Sequence, residues 1–157
     1  RLPPRSRSDF PDYAAHFRLA VDAKLSDFAL LAYTEAKLPS DGFSIVNTLD
    51  GACVPCALLL EIAGYRHYVG KIDGKPAVGD SLLLVPEPTN PKDSHAIAIQ
   101  WSKQTIGYVN RLQVAQFHRW LISAKVEVVL ERLNGKSDRP RAFVFVWIKP
   151  RQDKIAA

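Results

Sequence analysis

The sequence predicts a mainly β protein with some α-helix: a β-barrel of about six strands with one inserted helix, preceded by an N-terminal helical extension. Residues 9–38 carry large apolar side chains at helical spacing. From residue 57 onward, short runs rich in β-branched and aromatic residues alternate with Gly, Pro, Asn or Asp. A length of 157 residues with 47% hydrophobic residues indicates one folded domain with a modest extension.

The N-terminal part divides into a flexible basic start, residues 1–8, and a helical extension with its linker, residues 9–56. Asp9 can cap the helix, and Pro11 suits a first helical turn. The segment 39–42 ends the helix, and residues 43–49 form a short element of ambiguous type. The apolar stripe of the helix consists of Tyr13, Phe17, Val21, Leu25, Phe28 and Ala32.

The barrel domain is predicted over residues 57–149, followed by a tail at 150–157. One helix, residues 112–124, interrupts the strands, and many short strands close together are typical of a barrel. In this helix we expect Leu112, Ala115, Trp120 and Leu121 to face the core, and Gln113, Gln116, Arg119 and Ser123 to face solvent. The predicted strands are residues 58–62, 66–69, 81–85, 96–101, 105–109, 126–133 and 141–148.

The net charge of +5 is unevenly distributed along the chain. Residues 8–60 hold 3 basic and 7 acidic side chains, whereas residues 61–157 hold 15 basic and 9 acidic ones. A polyanionic partner should therefore meet the second part. No apolar run reaches the roughly 18 residues of a membrane span, which predicts no membrane association. Two cysteines are too few for a disulfide framework and are compatible with a reducing cytoplasm.

Two short motifs suggest chemistry that their surroundings do not support. Cys53 and Cys56 have the spacing of a redox dithiol or a zinc half-site, but no βαβ unit surrounds them and no paired histidines complete a metal site. The segment from Gly64 to Lys71 has five residues between its glycines where a phosphate-binding loop has four. We therefore predict two structural thiols, no bound metal and no cofactor.

The proline-rich segment 87–97 delivers several polar side chains just before an apolar strand. Asp93, Ser94 and His95 do not predict a hydrolase, because adjacent residues point in different directions and no nucleophile elbow is present. The simplest interpretation is a turn in which Asn90 and Asp93 bind backbone amides.

The C-terminal region combines basic and aromatic residues. Between residues 132 and 151, six basic side chains stand against one acid, Asp138. Solvated charge on a hairpin explains this pattern, but interleaved rings are also typical of single-stranded nucleic-acid sites. Because Phe143, Phe145 and Trp147 alternate along one strand, we expect all three to fill the core. The basic residues are Arg132, Lys136, Arg139, Arg141, Lys149 and Arg151.

Four segments taken together resemble the HIRAN domain: Gly64–Gly70, Gly79–Leu84, Glu87–Ile97 and Ile106–Val109. The string Glu-Pro-x-Asn-Pro-x-Asp-x-x-Ala-Ile is the most specific element. The resemblance covers about residues 57–149 and excludes the N-terminal helical part. It implies an OB-like β-barrel that binds single-stranded DNA and, in members belonging to SWI2/SNF2-type translocases, captures a free 3′-hydroxyl end.

The resemblance also implies site residues. Asn90 and Asp93 would receive the terminal sugar, since a carboxylate accepts a hydrogen bond from a 3′-hydroxyl and repels a 3′-phosphate. Lys92 stands at a position where translocase members carry a stacking tyrosine, so a cation replaces a ring there. The other implied DNA contacts are phosphate contact by Arg66, stacking by His67, backbone approach by Tyr108 and Arg111, and stacking by Phe143.

The leading hypothesis is a non-catalytic module that binds single-stranded DNA or DNA 3′ ends in repair or replication. Such a protein would be cytoplasmic, and nucleoid-associated in a bacterium or nuclear in a eukaryote. An alternative is a protein-interaction module that docks through the acidic helix, residues 9–38, with the barrel as scaffold. A third is redox or zinc chemistry at Cys53 and Cys56.

Overall fold

The computed structural model describes residues 2–34 and 46–151 and confirms a mainly β architecture with few helices. The chain divides into two compact units, Arg1–Asn47 and Thr48–Ala157. Residues 35–38 of the predicted helix, the predicted turn at 39–42 and residues 43–45 of the ambiguous element lie outside the described residues.

The first unit contains two short helices, α1 (Phe10–His16) and α2 (Asp27–Tyr33), where one continuous helix was predicted. The chain leaves the helix after α1, with Arg18 at φ 54°. Folding back lets Phe10 and Leu30 share a small core, whereas a straight helix would hold them about 30 Å apart. Consequently the predicted stripe is wrong at two of its members, Val21 (55% exposed) and Phe28 (70% exposed).

The second unit is built on one antiparallel six-stranded sheet with strand order β1-β6-β5-β2-β3-β4. Six of the seven predicted strands are confirmed. The predicted mainly β fold of about six strands is confirmed, and it is compatible with an OB-like barrel. The sheet is not closed: within the described residues, the outer strands β1 and β4 are joined by no ladder and meet at the single bridge between Ala63 and Tyr108. The strands are β1 (Cys56–Glu61), β2 (Ser81–Pro86), β3 (Ile97–Trp101), β4 (Gln104–Tyr108), β5 (Ala124–Lys136) and β6 (Arg139–Pro150).

The core fills one face of this sheet. Strand alternation places Ala142, Val144, Val146 and Ile148 of β6 in the main core. Phe143, Phe145 and Trp147 therefore share the opposite face, which confirms that the three point to one side, but none of them belongs to this main core. Phe143 and Phe145 are buried nevertheless.

Two helices accompany the sheet, α3 (Tyr65–Tyr68) and α4 (Val114–Ser123). The residues of α3 were predicted as a strand, which is wrong. Helix α4 is confirmed, and its predicted orientation holds for four of eight residues: Trp120 and Leu121 pack in the core, and Arg119 and Ser123 are exposed. It is wrong for the other four, because Gln113 and Gln116 are buried whereas Leu112 (61% exposed) and Ala115 are exposed. Phe117 and Trp120 are both buried, with ring centroids 5.2 Å apart. The two large rings decide which face of α4 packs against the sheet, because they bury the most area.

Gly107 allows β4 to approach the segment that follows β1. Its φ is +151°, and a Cβ there would lie 2.3 Å from Cγ2 of Ile62 and 2.7 Å from the carbonyl oxygen of Ala63. Any larger residue would push these two segments apart. No helix within residues 2–34 and 46–151 is long and apolar enough to cross a membrane.

Candidate functional site

A surface groove of about 610 Å³ lies where three separate segments meet. The first segment is α3 with its flanks, the second is the loop between β2 and β3, and the third runs from the end of β4 into α4. The groove is lined by Ala63, Gly64, His67, Tyr68, Lys71, Asn90, Lys92, Asp93, Ala96, Tyr108, Val109, Arg111 and Val114.

The face of α3 forms one wall of this groove. His67 and Tyr68 lie three and four residues after Gly64, and Lys71 lies three and four residues after Tyr68 and His67, so a helical turn and the residues that follow it present the four together. Gly64 starts the turn in the left-handed conformation, at φ 77°. Arg66 is not among the lining residues; it is exposed and donates from Nε to Nε2 of His67 at 3.1 Å.

Asn90 organises the loop between β2 and β3. Its Oδ1 accepts hydrogen bonds from the backbone amides of Lys92 at 3.0 Å and Asp93 at 3.3 Å. Its Nδ2 donates to Oε2 of Glu87 at 2.7 Å and lies 3.5 Å from the hydroxyl of Tyr108. The predicted turn held by Asn90 and Asp93 side chains is thereby confirmed, and both ends of the Asn90 amide are occupied within the protein.

Tyr108 links the loop to the α3 wall. Its hydroxyl donates to Oε2 of Glu87 at 3.1 Å, and its ring meets that of Tyr68 edge-on at 5.6 Å between centroids. Burial, reinforced by hydrogen bonds with Tyr68 and Glu87, raises the pKa of the Tyr108 phenol above its ordinary value. Tyr108 therefore stays protonated at neutral pH and remains a hydrogen-bond donor to Glu87.

Asp93 is positioned with one carboxylate oxygen committed and the other near solvent. Oδ1 accepts from the backbone amide of His95 at 2.9 Å. Oδ2 lies 3.8 Å from Nε of Arg111, whose side chain is 89% exposed while that of Asp93 is 28% exposed. Such an exposed ion pair contributes little to stability, so a ligand can separate the two groups at small cost.

The charges around the groove favour an anionic ligand. Lys71, Lys92 and Arg111 line it and are exposed, whereas Asp93 is the acid in the lining. Long basic side chains at the rim of a partly apolar depression suit a polymer that presents phosphates outside and bases inside.

Six of the eight sequence-predicted site residues line the groove together. They are His67, Asn90, Lys92, Asp93, Tyr108 and Arg111. Arg66 lies beside it through its bond to His67. Phe143 is not in the lining: it is 7% exposed on β6, with its ring centroid 5.0 Å and 5.7 Å from the guanidinium carbons of Arg141 and Arg132.

Sequence reasoning missed Tyr68, Lys71 and the supporting Glu87. The assumption of a strand at 66–69 places Tyr68 away from His67, because neighbours in a strand face opposite sides. The spacing 64, 67, 68 and 71 was the available signal for a helical face.

The two cysteines stand apart from the groove lining. Cys53 is exposed and Cys56 half-buried, and both are free thiols. Burial, with a smaller effect from neighbouring Cys53, raises the pKa of the Cys56 thiol and so disfavours its reactive thiolate. No cluster of three or more potential metal ligands occurs in the described parts of the chain.

Comparison with known proteins bears directly on the second unit. The structure is similar to the crystal structure of the HIRAN domain of human HLTF (19% identity, TM-score 0.41), covering 59% of this chain and 76% of that one. It is also similar to a protein from Lactobacillus plantarum (18% identity, TM-score 0.41), covering 59% of this chain and 95% of that one. No curated protein matches the sequence.

The family model for the HIRAN domain matches residues 57–150, which is more than half of the chain. The match includes the complete groove and all six strands of the sheet except the first residue of β1. HIRAN domains are DNA-binding modules, and this chain belongs to the HIRAN domain family.

Proposed function

We propose that the chain is a non-catalytic module that binds single-stranded DNA at a 3′ end through the groove between α3, the 87–96 loop and β4. The observation that carries the proposal is the carboxylate of Asp93, held by the loop beside three exposed cations. A cationic groove with one oriented acceptor fits a polyanion whose terminus carries a hydrogen-bond donor.

The basic side chains supply the affinity for phosphate. Lys71, Lys92 and Arg111 reach the groove from three different segments, and Arg66 adds a fourth charge beside His67. Each phosphate that a cation neutralises releases counterions, so affinity falls with added salt. With about two or three phosphates contacted, the slope of log K against log salt is about −1.4 to −2.1 for a single strand.

Asp93 supplies the preference for the end. Its Oδ2 can accept a hydrogen bond from a 3′-hydroxyl, while a 3′-phosphate in the same place would meet a negative charge. Asn90 acts here as a positioning residue, because its amide is used to hold Glu87 and the backbone of the loop. Asn90 thus fixes the direction in which Asp93 faces.

The rings on the α3 wall supply contacts to bases. His67 is exposed, and Tyr68 is half-buried against Tyr108. Base stacking on such rings contributes about 1–3 kcal/mol per base and does not depend on sequence. Phe143 is buried and exposes no comparable ring surface, so the proposed stacking residues do not include it.

Fluorescence anisotropy with a 5′-labelled oligonucleotide ending in either 3′-hydroxyl or 3′-phosphate tests the proposal. We expect about a 10-fold preference for the hydroxyl end, corresponding to about 1.4 kcal/mol. Asp93→Asn should reduce this preference to less than about 2-fold. Asp73→Asn, at an exposed acid outside the groove lining whose backbone bonds the side chain of Gln104, should leave it unchanged. Absence of binding at low salt overturns the DNA-binding proposal, and equal affinity for the two ends overturns the end-reading part.

A second candidate function is docking of a protein on the first unit, favoured by the exposed Val21 and Phe28. In a pull-down from lysate, Phe28→Ser in the full chain should lose such a partner while retaining the affinity for DNA. A partner that is retained equally by Phe28→Ser contradicts this candidate.

A further inference from the structure

The hairpin formed by β5 and β6 extends beyond the rest of the sheet. The two strands pair continuously from Ala124 opposite Pro150 to Lys136 opposite Arg139, with one irregularity near Leu130. Residues 133–139 are all exposed. This end of the hairpin carries most of the basic cluster that the sequence shows between residues 132 and 151.

The register places its cations on a single face. Residues opposite one another in a ladder share a face, and so do residues two apart along a strand. The pairs on that face are Arg132 with Phe143, Asn134 with Arg141, and Lys136 with Arg139. We call Arg132, Lys136, Arg139 and Arg141 the cationic hairpin face.

The base of the cationic hairpin face is fixed by neighbouring groups. Arg141 donates from Nε and from its terminal nitrogen to the two carboxylate oxygens of Glu61, at 2.8 and 2.7 Å. The guanidinium carbons of Arg141 and Arg132 lie 5.0 and 5.7 Å from the ring centroid of Phe143. The bidentate contact with Glu61 restricts the orientation of the Arg141 side chain. The ring of Phe143, which both guanidinium groups approach, restricts Arg132 as well.

The tip of the face is arranged differently, because its two cations oppose each other. Lys136 and Arg139 are direct cross-strand neighbours, a pairing of like charges that destabilises a hairpin. Arg139 lies 3.8 Å from Asp138, but both side chains are largely exposed, so that pair compensates little. Gly135, at φ +91°, permits this geometry, since a Cβ would lie 2.3 Å from the carbonyl oxygen of Arg139. An anionic ligand would relieve the repulsion between the two cations.

The cationic hairpin face and the groove lie on the same side of the sheet. Glu61, which holds Arg141, is opposite Phe143, and Ile62 points into the core. Ala63, which lines the groove, follows Glu61 by two residues and so shares its outward direction. The amide of Ile62 donates to the carbonyl oxygen of Ala142, so the chain after β1 continues towards the hairpin tip and Ala63 comes level with Arg141. From Arg141 to Arg139 the strand adds about 7 Å, and neighbouring strands lie about 5 Å apart. The groove wall at Ala63 and the hairpin tip are thus roughly 10 Å apart, the length of about three stacked nucleotides.

We propose that the cationic hairpin face binds the phosphates of the DNA strand that leaves the groove, so that the site has a second contact region about three nucleotides beyond the groove wall. The inference rests on the proposed function and specifies the length of DNA that the protein takes. A dinucleotide would occupy the groove alone, whereas a strand of twelve nucleotides would reach Lys136 and Arg139.

The test compares a 2-nucleotide and a 12-nucleotide single strand, both with 3′-hydroxyl ends, by anisotropy over a range of salt. Lys136→Gln/Arg139→Gln should weaken binding of the 12-mer by roughly 20-fold at 0.1 M salt and reduce the slope of log K against log salt by about 1.4, as expected for two phosphate contacts. Binding of the dinucleotide should remain within about 2-fold of wild type.

The matched control is Lys125→Gln/Lys149→Gln, which removes the same charge from a cross-strand pair at the opposite end of the same hairpin. It should leave the binding of both oligonucleotides within about 2-fold. An unchanged 12-mer affinity in the tip variant, an equal loss for both lengths, or an equal loss in the control would overturn the inference. Failure of the wild-type protein to bind either strand would instead overturn the proposed function.

Discussion

Replacing Asn90 by aspartate changes one atom of the loop that positions Asp93 and reverses one interaction. The side chain keeps Oδ1, which accepts the backbone amides of Lys92 and Asp93. The donor Nδ2, 2.7 Å from Oε2 of Glu87, becomes a carboxylate oxygen. Two carboxylates then face each other where a charge-assisted hydrogen bond was present.

The size of the effect follows from these distances. A hydrogen bond to a charged group contributes about 1.5–3 kcal/mol, and its replacement by repulsion adds to the loss. Both residues are half-exposed, so solvent screening limits the total to about 3 kcal/mol at neutral pH. For a domain of roughly 100 residues this lowers Tm by about 10–15 °C.

The loss should also depend on pH. Repulsion raises the pKa of the coupled carboxyl pair in the folded state above the ordinary value of about 4. The penalty is therefore present above the raised pKa, where both groups are charged. It disappears as the pH falls towards the unfolded value of about 4, where one group is protonated and donates to the other.

Thermal unfolding followed by circular dichroism, at pH 7 and pH 4, measures this difference from wild type. Asn110→Asp is the matched control, because Oδ1 of Asn110 accepts from the amide of Leu112 at 3.0 Å and the start of α4 tolerates a negative charge. The control should stay within about 0.5 kcal/mol of wild type. An unchanged Tm for Asn90→Asp at pH 7, or a loss that persists at pH 4, would refute the role assigned to the Asn90–Glu87 bond.

Two further predictions concern the sheet. Gly107→Ala should lower Tm by about 10 °C or more, because the new methyl group collides with Ile62 and the backbone of Ala63. The control Gly70→Ala, whose methyl group meets nothing within 4 Å, should lower the free energy of unfolding by less than about 1 kcal/mol. Equal losses of stability in the two variants would contradict the packing argument. Hydrogen bonds from Lys125 and Lys149 lower the pKa of Glu127 to about 2. A carboxyl titration followed by NMR should therefore show Glu127 charged throughout pH 4–8. A titration midpoint of Glu127 near pH 4 at low salt would contradict those hydrogen bonds.

The strands were predictable because short apolar runs with turn residues between them leave few alternatives. The single error among them, α3, comes from tyrosine and valine in a four-residue element that is too short to show helical periodicity. What selects the helix is tertiary: Gly64 adopts a left-handed conformation, and Tyr65 enters the core. Local propensity carries no information on either.

The residues of α4 that were placed on the wrong face and the interruption of the N-terminal helix have a related cause. Gln113 and Gln116 are polar but buried, since the rings of Phe117 and Trp120 fix which face packs inward. Between α1 and α2 the sequence has no glycine or proline to mark a turn, and the contact of Phe10 with Leu30 over 20 residues decides the fold. The groove residues were identified through the resemblance to the HIRAN domain, because the polar loop 87–96 taken alone predicts no more than a turn.

The bridge between Ala63 and Tyr108 ties the existence of the groove to a late event in folding. Its two reciprocal hydrogen bonds, each 2.9 Å, join residues that are 45 positions apart. Closing a loop of that length loses conformational entropy before the new contacts can stabilise it. The groove should therefore assemble after the neighbouring hairpins have formed. Opening of these two bonds alone would remove the site while leaving the sheet intact. Bound DNA would favour the state in which both hydrogen bonds are formed, by mass action. The amide protons of Ala63 and Tyr108 would then exchange more slowly in the complex.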